Sequence, residues 1–341
     1  MSEQATPTSV VSSNPLVIRA VLRTDVGRVR SENQDYGAMA GSADGDRGHP
    51  GGRLLVVADG MGGHRGGATA SRIAAETVQS QYLTAQTEDI AAALRDALTR
   101  ANSRIYYEAQ SNNDLRGMGT TTSALAVRGN QAWFAHVGDS RIYLVRGDEI
   151  RQLTDDHSLV AVMVREGLLT SKEAENHPRR NVLQRSMGVS EEVDIDVRGP
   201  FDVQELDTFV LCSDGLHGVV RPDEIKDIVL KSPRIEHAAD DLIKRALERG
   251  GPDNVTVIVA RAERPGEETL VDDNVPDEET VRERDAAPKT RDARANTTSS
   301  LRASSILKWA FIFVAALSAA GTWLFLNQQQ MFASQSATQS K

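Results

Sequence analysis

From about Leu16 to Ala262 the chain alternates short apolar runs with longer segments whose apolar residues recur at steps of three and four. The short runs cover 54–58, 121–127, 132–137, 141–146, 208–212 and 255–260. Each is rich in β-branched or aromatic residues and bounded by Gly, Asp, Asn or Ser, which predicts strands. The longer pattern predicts helices over 67–83, 87–110, 158–166, 171–176, 222–229 and 235–249. In the second of these, Ile90, Leu94, Leu98, Ala101 and Ile105 form a stripe suited to a core-facing helix. The predicted strands 132–137 and 141–146 are three residues apart, too few for a crossover helix, so they are expected to pair antiparallel. The class is α+β rather than doubly wound α/β, and the pattern by itself leaves the layer order open.

After Ala262 the pattern stops. Residues 265–279 hold seven acids and no base, and the stretch to Ser305 is rich in Pro, Thr, Ser and charge. So little apolar surface cannot offset the entropy of ordering, and 264–305 reads as an acidic, disordered linker. The next segment, 309–326, is eighteen residues without a charge, with Trp309 and Trp323 near its ends. At a helical rise of about 1.5 Å per residue this length just crosses a hydrocarbon layer. The expected organisation is a disordered arm (1–15), one catalytic domain (16–263), the linker, a transmembrane helix (306–326) and a polar tail (327–341). Lys289, Arg291, Arg294, Arg302 and Lys308 precede the apolar segment and only Lys341 follows it. By the positive-inside rule a single-pass cell-membrane protein with its domain in the cytoplasm is expected.

Composition narrows the chemistry. A formal net charge of -9 disfavours nucleic-acid binding, which needs clustered Lys and Arg, and excludes a nuclease on the same ground. Cys212 is the only cysteine, so neither an intramolecular disulfide nor a thiolate zinc site can form. The position six after it is Gly218, not the Arg that cysteine-dependent phosphatases place there, and Cys212 reads as a small core residue.

Four Asp residues stand at the ends of apolar runs beside small residues: Asp59 before Gly60, Asp139 after Gly138, Asp214 before Gly215, and Asp253 after Gly251-Pro252. Glycine beside a carboxylate at a strand end leaves room for an ion to approach. Each alone is an ordinary turn residue, but four together offer the hard oxygen ligands that suit Mg²⁺ or Mn²⁺. On spacing alone the chemistry stays open among metal-dependent hydrolases.

The ordered set Arg30-x-x-Asn33-Gln34-Asp35, Asp59-Gly60-Met61-Gly62-Gly63-His64, Gly119-Thr120-Thr121, Gly138-Asp139-Ser140-Arg141, Ser213-Asp214-Gly215 and Gly251-Pro252-Asp253-Asn254-Val255-Thr256 resembles the bacterial branch of the type-2C (PPM) phosphatases. The resemblance implies two stacked antiparallel sheets flanked by helices, an αββα sandwich. It implies a metal-dependent protein serine/threonine phosphatase whose phosphate ester is attacked directly by a hydroxide bridging two cations. Asp59 would bridge the two Mn²⁺ or Mg²⁺ ions, Gly60 would contribute its carbonyl, and Asp214 and Asp253 would complete one shell. Asp35 would orient bound water, Asp139 with Asp214 would hold a third, weaker ion, and Arg30 would bind the substrate phosphate. Partners would be phosphorylated proteins that are targets of Ser/Thr kinases, with no nucleic acid, and a monomer is expected.

Three positions depart from the pattern. Gln34 stands where some members have Glu, Met61 stands where certain animal members have His, and His64 is too far along to replace it. The resemblance also makes 155–181 a flap beside the site, with Asn181 near the third ion. His136, His157 and His177 lack metal-ligand spacing and read as structural or loop residues. A catalytically dead phosphoprotein-binding module would have lost a metal Asp, and none is missing.

Overall fold

The computed structural model describes residues 16–41, 52–62 and 66–265. The N-terminal arm, His64, the linker beyond Pro265, the predicted transmembrane helix and the polar tail lie outside the described residues. Among the described residues no helix is long and apolar enough to cross a membrane.

Eleven strands are described: β1 (Val17–Asp25), β2 (Asp35–Ala40), β3 (Arg53–Met61), β4 (Gly119–Thr120), β5 (Thr122–Arg128), β6 (Gln131–Val137), β7 (Arg141–Arg146), β8 (Glu149–Gln152), β9 (Asp196–Asp202), β10 (Thr208–Cys212) and β11 (Val255–Glu263). One sheet has the order β1-β11-β10-β7-β8 and the other β2-β3-β5-β6-β9, with β4 paired to β3. Every ladder is antiparallel, so the α+β expectation holds.

The side chains of each central strand alternate between two cores. In β3, Leu55 and Val57 meet Leu125, Phe134, Ile142, Phe209, Leu211 and Ile258 between the sheets. Leu54, Val56 and Ala58 face the opposite way, against helices α1 (Gly66–Thr84) and α2 (Ile90–Ser111). In β10 and β11, Val210, Cys212, Val257 and Val259 face a third core. That core is closed by α6 (Pro222–Lys231) and α7 (Ile235–Glu248), numbered after α3 (Leu159–Arg165), α4 (Ser171–Glu175) and α5 (Asp214–His217). Central strands covered on both faces read as unbroken apolar runs, and the result is the αββα sandwich. The stripe from Ile90 to Ile105 is buried as expected, and Cys212 packs as a core residue.

One expectation is overturned. β6 and β7 do not pair: β6 lies between β5 and β9, whereas β7 lies between β10 and β8 in the other sheet. The three residues between them carry the chain from sheet to sheet. Gly138 makes this turn at φ +110, and a Cβ there would sit 2.5 Å from Cβ of Thr121. Only glycine combines that dihedral with that closeness. The helix predicted from 87 begins at Ile90, because the Asp89 side chain accepts the Ala92 N–H and caps the first turn.

Candidate active site

Antiparallel pairing brings the strand ends named above to one edge of the sandwich. Asp59 lies near the end of β3, opposite Asp35 at the start of β2. Asp139 sits in the β6–β7 crossover, Asp214 opens α5 directly after β10, and Asp253 closes the loop before β11. Arg30 comes from the β1–β2 loop and donates from Nη2 to Asp253 Oδ2 at 2.7 Å.

The backbone around Asp59 is held on both sides. Its N–H donates to Thr121 Oγ1 at 3.0 Å, and its carbonyl accepts from Thr120 Oγ1 and from the Thr121 N–H, each at 2.8 Å. Gly60 is required next to it, since a Cβ would lie 2.1 Å from the Gly67 carbonyl oxygen and 2.6 Å from that of Gln34. Asp35 is oriented by the Ser213 hydroxyl, which donates to Oδ2 at 2.7 Å, while its buried Oδ1 has no hydrogen-bond partner among the described residues. Asn254 shapes the loop that carries Arg30: it accepts the Gln34 N–H at 2.8 Å and donates to the Val26 and Glu32 carbonyls at 2.9 Å.

The peptide flanking Asp139 is fixed by two imidazoles. The Gly138 N–H donates to His157 Nδ1 at 3.1 Å, and the His157 N–H returns a bond to the Gly138 carbonyl at 2.8 Å. His157 therefore carries its proton on Nε2, facing Asp196 Oδ2 at 3.3 Å. His217 Nε2 donates to the Asp139 carbonyl at 3.0 Å. Burial pushes both imidazoles below their ordinary value, His217 to about 3, so each stays neutral. His136 is buried against the His157 ring at 4.7 Å, and half-buried His177 accepts the Arg179 N–H. All three histidines without ligand spacing are thus structural, as expected.

The site is crowded with negative charge. Burial, then the neighbouring Asp35, Asp214, Asp139 and Asp253, hold the Asp59 carboxyl well above the usual carboxylate range. Burial raises Asp35 and Asp139 to about 7 and Asp214 to about 6, with nearby carboxylates adding to each shift. Arg30 is raised by its bond to Asp253. Among the described residues no three Asp, Glu, His or Cys side chains close around one point as a finished cage. The array is open, built of hard oxygen donors, short of positive charge, and includes one unpartnered buried oxygen on Asp35. That donor set fits cations that retain several waters, as Mg²⁺ and Mn²⁺ do.

All seven site residues predicted from sequence thus come from loops and strand ends at this edge. Asn181 lies in an exposed turn and makes no hydrogen bond to Asp139 among the described residues. The sequence by itself assigns no positioning role to Thr120, Thr121, Ser213, Asn254, His157 or His217. Four of them fall inside the quoted motifs, and that placement was the available signal.

Residues 29–254 match the family model described as protein phosphatase 2C. The serine/threonine phosphatase stp of Listeria welshimeri is 40% identical over 249 residues, which is 71% of this chain and 95% of that protein. The crystal structure of the Mycobacterium tuberculosis serine/threonine phosphatase PstP/Ppp is similar at 38% identity and a TM-score of 0.65, covering 73% of this chain and 100% of that one. The catalytic domain of PstP in complex with two manganese ions is similar at 36% identity and a TM-score of 0.63, covering 73% of this chain and 99% of that one.

Proposed function

The chain belongs to the protein phosphatase 2C family and is a metal-dependent protein serine/threonine phosphatase, and on that premise we propose the role of each residue at its site. The observation that carries the assignment is the meeting of Asp35, Asp59, Asp139, Asp214 and Asp253 at one edge of the sandwich, with Arg30 beside them.

Two Mn²⁺ or Mg²⁺ ions would supply the charge that offsets a phosphomonoester dianion and acidify the attacking water. Asp59, Asp214 and Asp253, with the Gly60 carbonyl, would hold them, and Asp139 with Asp214 would hold a third. The manganese-bound relative supports this reading. Asp35 accepts from Ser213 through Oδ2, which leaves Oδ1 to orient water. Arg30 presents a planar fork of donors, one of which already bonds Asp253. The others bind phosphate oxygens and hold the ester in line for displacement. No nucleophilic side chain takes part, so no covalent intermediate with the protein forms. Phosphate release from p-nitrophenyl phosphate with Mn²⁺, and its loss in EDTA, is the expected result. Turnover unaffected by EDTA would overturn the assignment.

The domain limits and the location of the protein rest on sequence. We propose that 306–326 anchors the domain to the cell membrane as a single pass, with the five Lys and Arg residues before it on the cytoplasmic side. Substrates would be cytoplasmic proteins phosphorylated by Ser/Thr kinases, met by a monomeric phosphatase.

A further inference from the structure

A groove of about 390 Å³ runs between the turn after β1 and helix α7, lined by Arg23, Arg28, Asp240, Lys244, Leu247 and neighbouring groups. Its acids are already engaged: Asp240 pairs with Arg23 at 2.5 Å, and Glu248 with Arg245 at 3.4 Å. Its other cations are not. Arg28 spends Nε on the Leu247 carbonyl at 3.0 Å and forms no ion pair among the described residues. Lys244 is exposed and forms no ion pair among the described residues.

The groove adjoins the active site through a rigid turn. The Arg28 N–H donates to the Gly251 carbonyl at 2.8 Å, and a Cβ on Gly27 would lie 2.2 Å from the Asp253 carbonyl oxygen. Arg28 is two residues from Arg30, a reach of at most about 7 Å. Between them Val29 is 70% exposed, and Leu247 and Ile243 form the groove's apolar wall.

We propose that this groove docks the stretch of substrate polypeptide that flanks the phosphorylated residue, and that it selects acidic side chains there. The inference rests on the phosphatase reading and deepens it. With the phosphate at Arg30, an extended peptide advances about 3.3 Å per residue, so side chains two to four positions away reach Arg28 and Lys244. Carboxylates there meet unpaired cations, and apolar neighbours cover Val29 and Leu247. The contribution is electrostatic and solvent-exposed, so it is modest and falls with salt.

The test uses the full chain with Mn²⁺ and three substrates. These are p-nitrophenyl phosphate, a phosphothreonine peptide with Asp or Glu two to four residues from the phosphate, and the same peptide with Ala there. Wild type is expected to favour the acidic peptide by about fivefold in kcat/KM at low salt, a preference that fades by about 0.5 M salt. Lys244→Glu should abolish or invert it, Arg28→Gln should reduce it, and turnover of p-nitrophenyl phosphate should stay within about twofold of wild type. Equal kcat/KM for the two peptides in wild type would overturn the inference. So would an equal loss on all three substrates in Lys244→Glu. A wild-type chain inactive on all three would overturn the phosphatase reading and this inference with it.

Discussion

Asp35 and Asp59 stand directly opposite one another across the β2–β3 ladder. Opposed residues of an antiparallel pair project their side chains to the same face, where like charges repel. A fold that places two carboxylates in this register, with Asp214 close by, has an edge that calls for cations or protons.

The first prediction follows from that demand. In the folded protein Asp35, Asp139 and Asp214 are raised to about 7, 7 and 6, above the ordinary aspartate value of 3.8. The metal-free native state therefore binds more protons than the unfolded chain between about pH 4 and 7, and its stability falls as pH rises through that window. Thermal unfolding in EDTA should give a higher Tm near pH 5.5 than near pH 8. Asp59→Asn should raise the metal-free Tm near pH 8 while lowering Mn²⁺-dependent turnover by about 100-fold or more, and Asp253→Asn should also abolish turnover. A metal-free Tm that climbs from pH 5.5 to pH 8 would contradict the crowding.

Arg30 gives a second outcome. Arg30→Ala should raise KM for a phosphopeptide by about 10- to 100-fold, the value of a lost charge-assisted contact. Because Arg30 also bonds Asp253, half-saturation by Mn²⁺ should move as well, by less than about threefold. A large loss of Mn²⁺ affinity with unchanged KM would make Arg30 a structural partner of Asp253 alone.

At the crossover, Gly138→Ala meets both a positive φ and the Thr121 side chain. Destabilisation of about 3 kcal/mol or more is expected. His157→Ala leaves the buried Gly138 N–H without its acceptor and should cost about 2–4 kcal/mol. Urea titrations of both variants check these values, and a loss below about 1 kcal/mol for His157→Ala would sink the clamp.

The anchor is tested by fractionation. A chain ending at Arg264 should remain in solution and hydrolyse p-nitrophenyl phosphate, while the full chain should sediment with membranes and resist carbonate. Alkaline phosphatase fused after Lys341 should be active only if the tail is exported. Release of the full chain by carbonate would remove the membrane assignment.

What the sequence made legible was set by burial. The six predicted strands lie inside the two sheets, most of them covered on both faces, and their apolar runs show it. The strands not predicted include all four sheet edges, β1, β8, β2 and β9, along with the two-residue β4. Edge strands bury only part of each residue: β8 reads Glu-Ile-Arg-Gln and β9 contains Gly199-Pro200, so neither alternates cleanly. The pairing of β6 with β7 failed for a related reason. A short connection limits the distance between strands but not the sheet that the second one joins. The seven residues that gather at this edge were legible as a set because motif order survives without geometry. Their supports were not, because a contact such as Ser213 to Asp35 spans 178 positions.

The crossover at Gly138 has a mechanical meaning. Asp35 and Asp59 belong to one sheet, Asp214 and Asp253 flank strands of the other, and Asp139 lies on the thread that joins them. Ions gripped from both sides would act as rivets through the seam of the sandwich, so prising the layers apart would first require letting them go. Loaded protein should then open more slowly than stripped protein under pulling or protease attack, and a single leak of cation would loosen the whole joint at once.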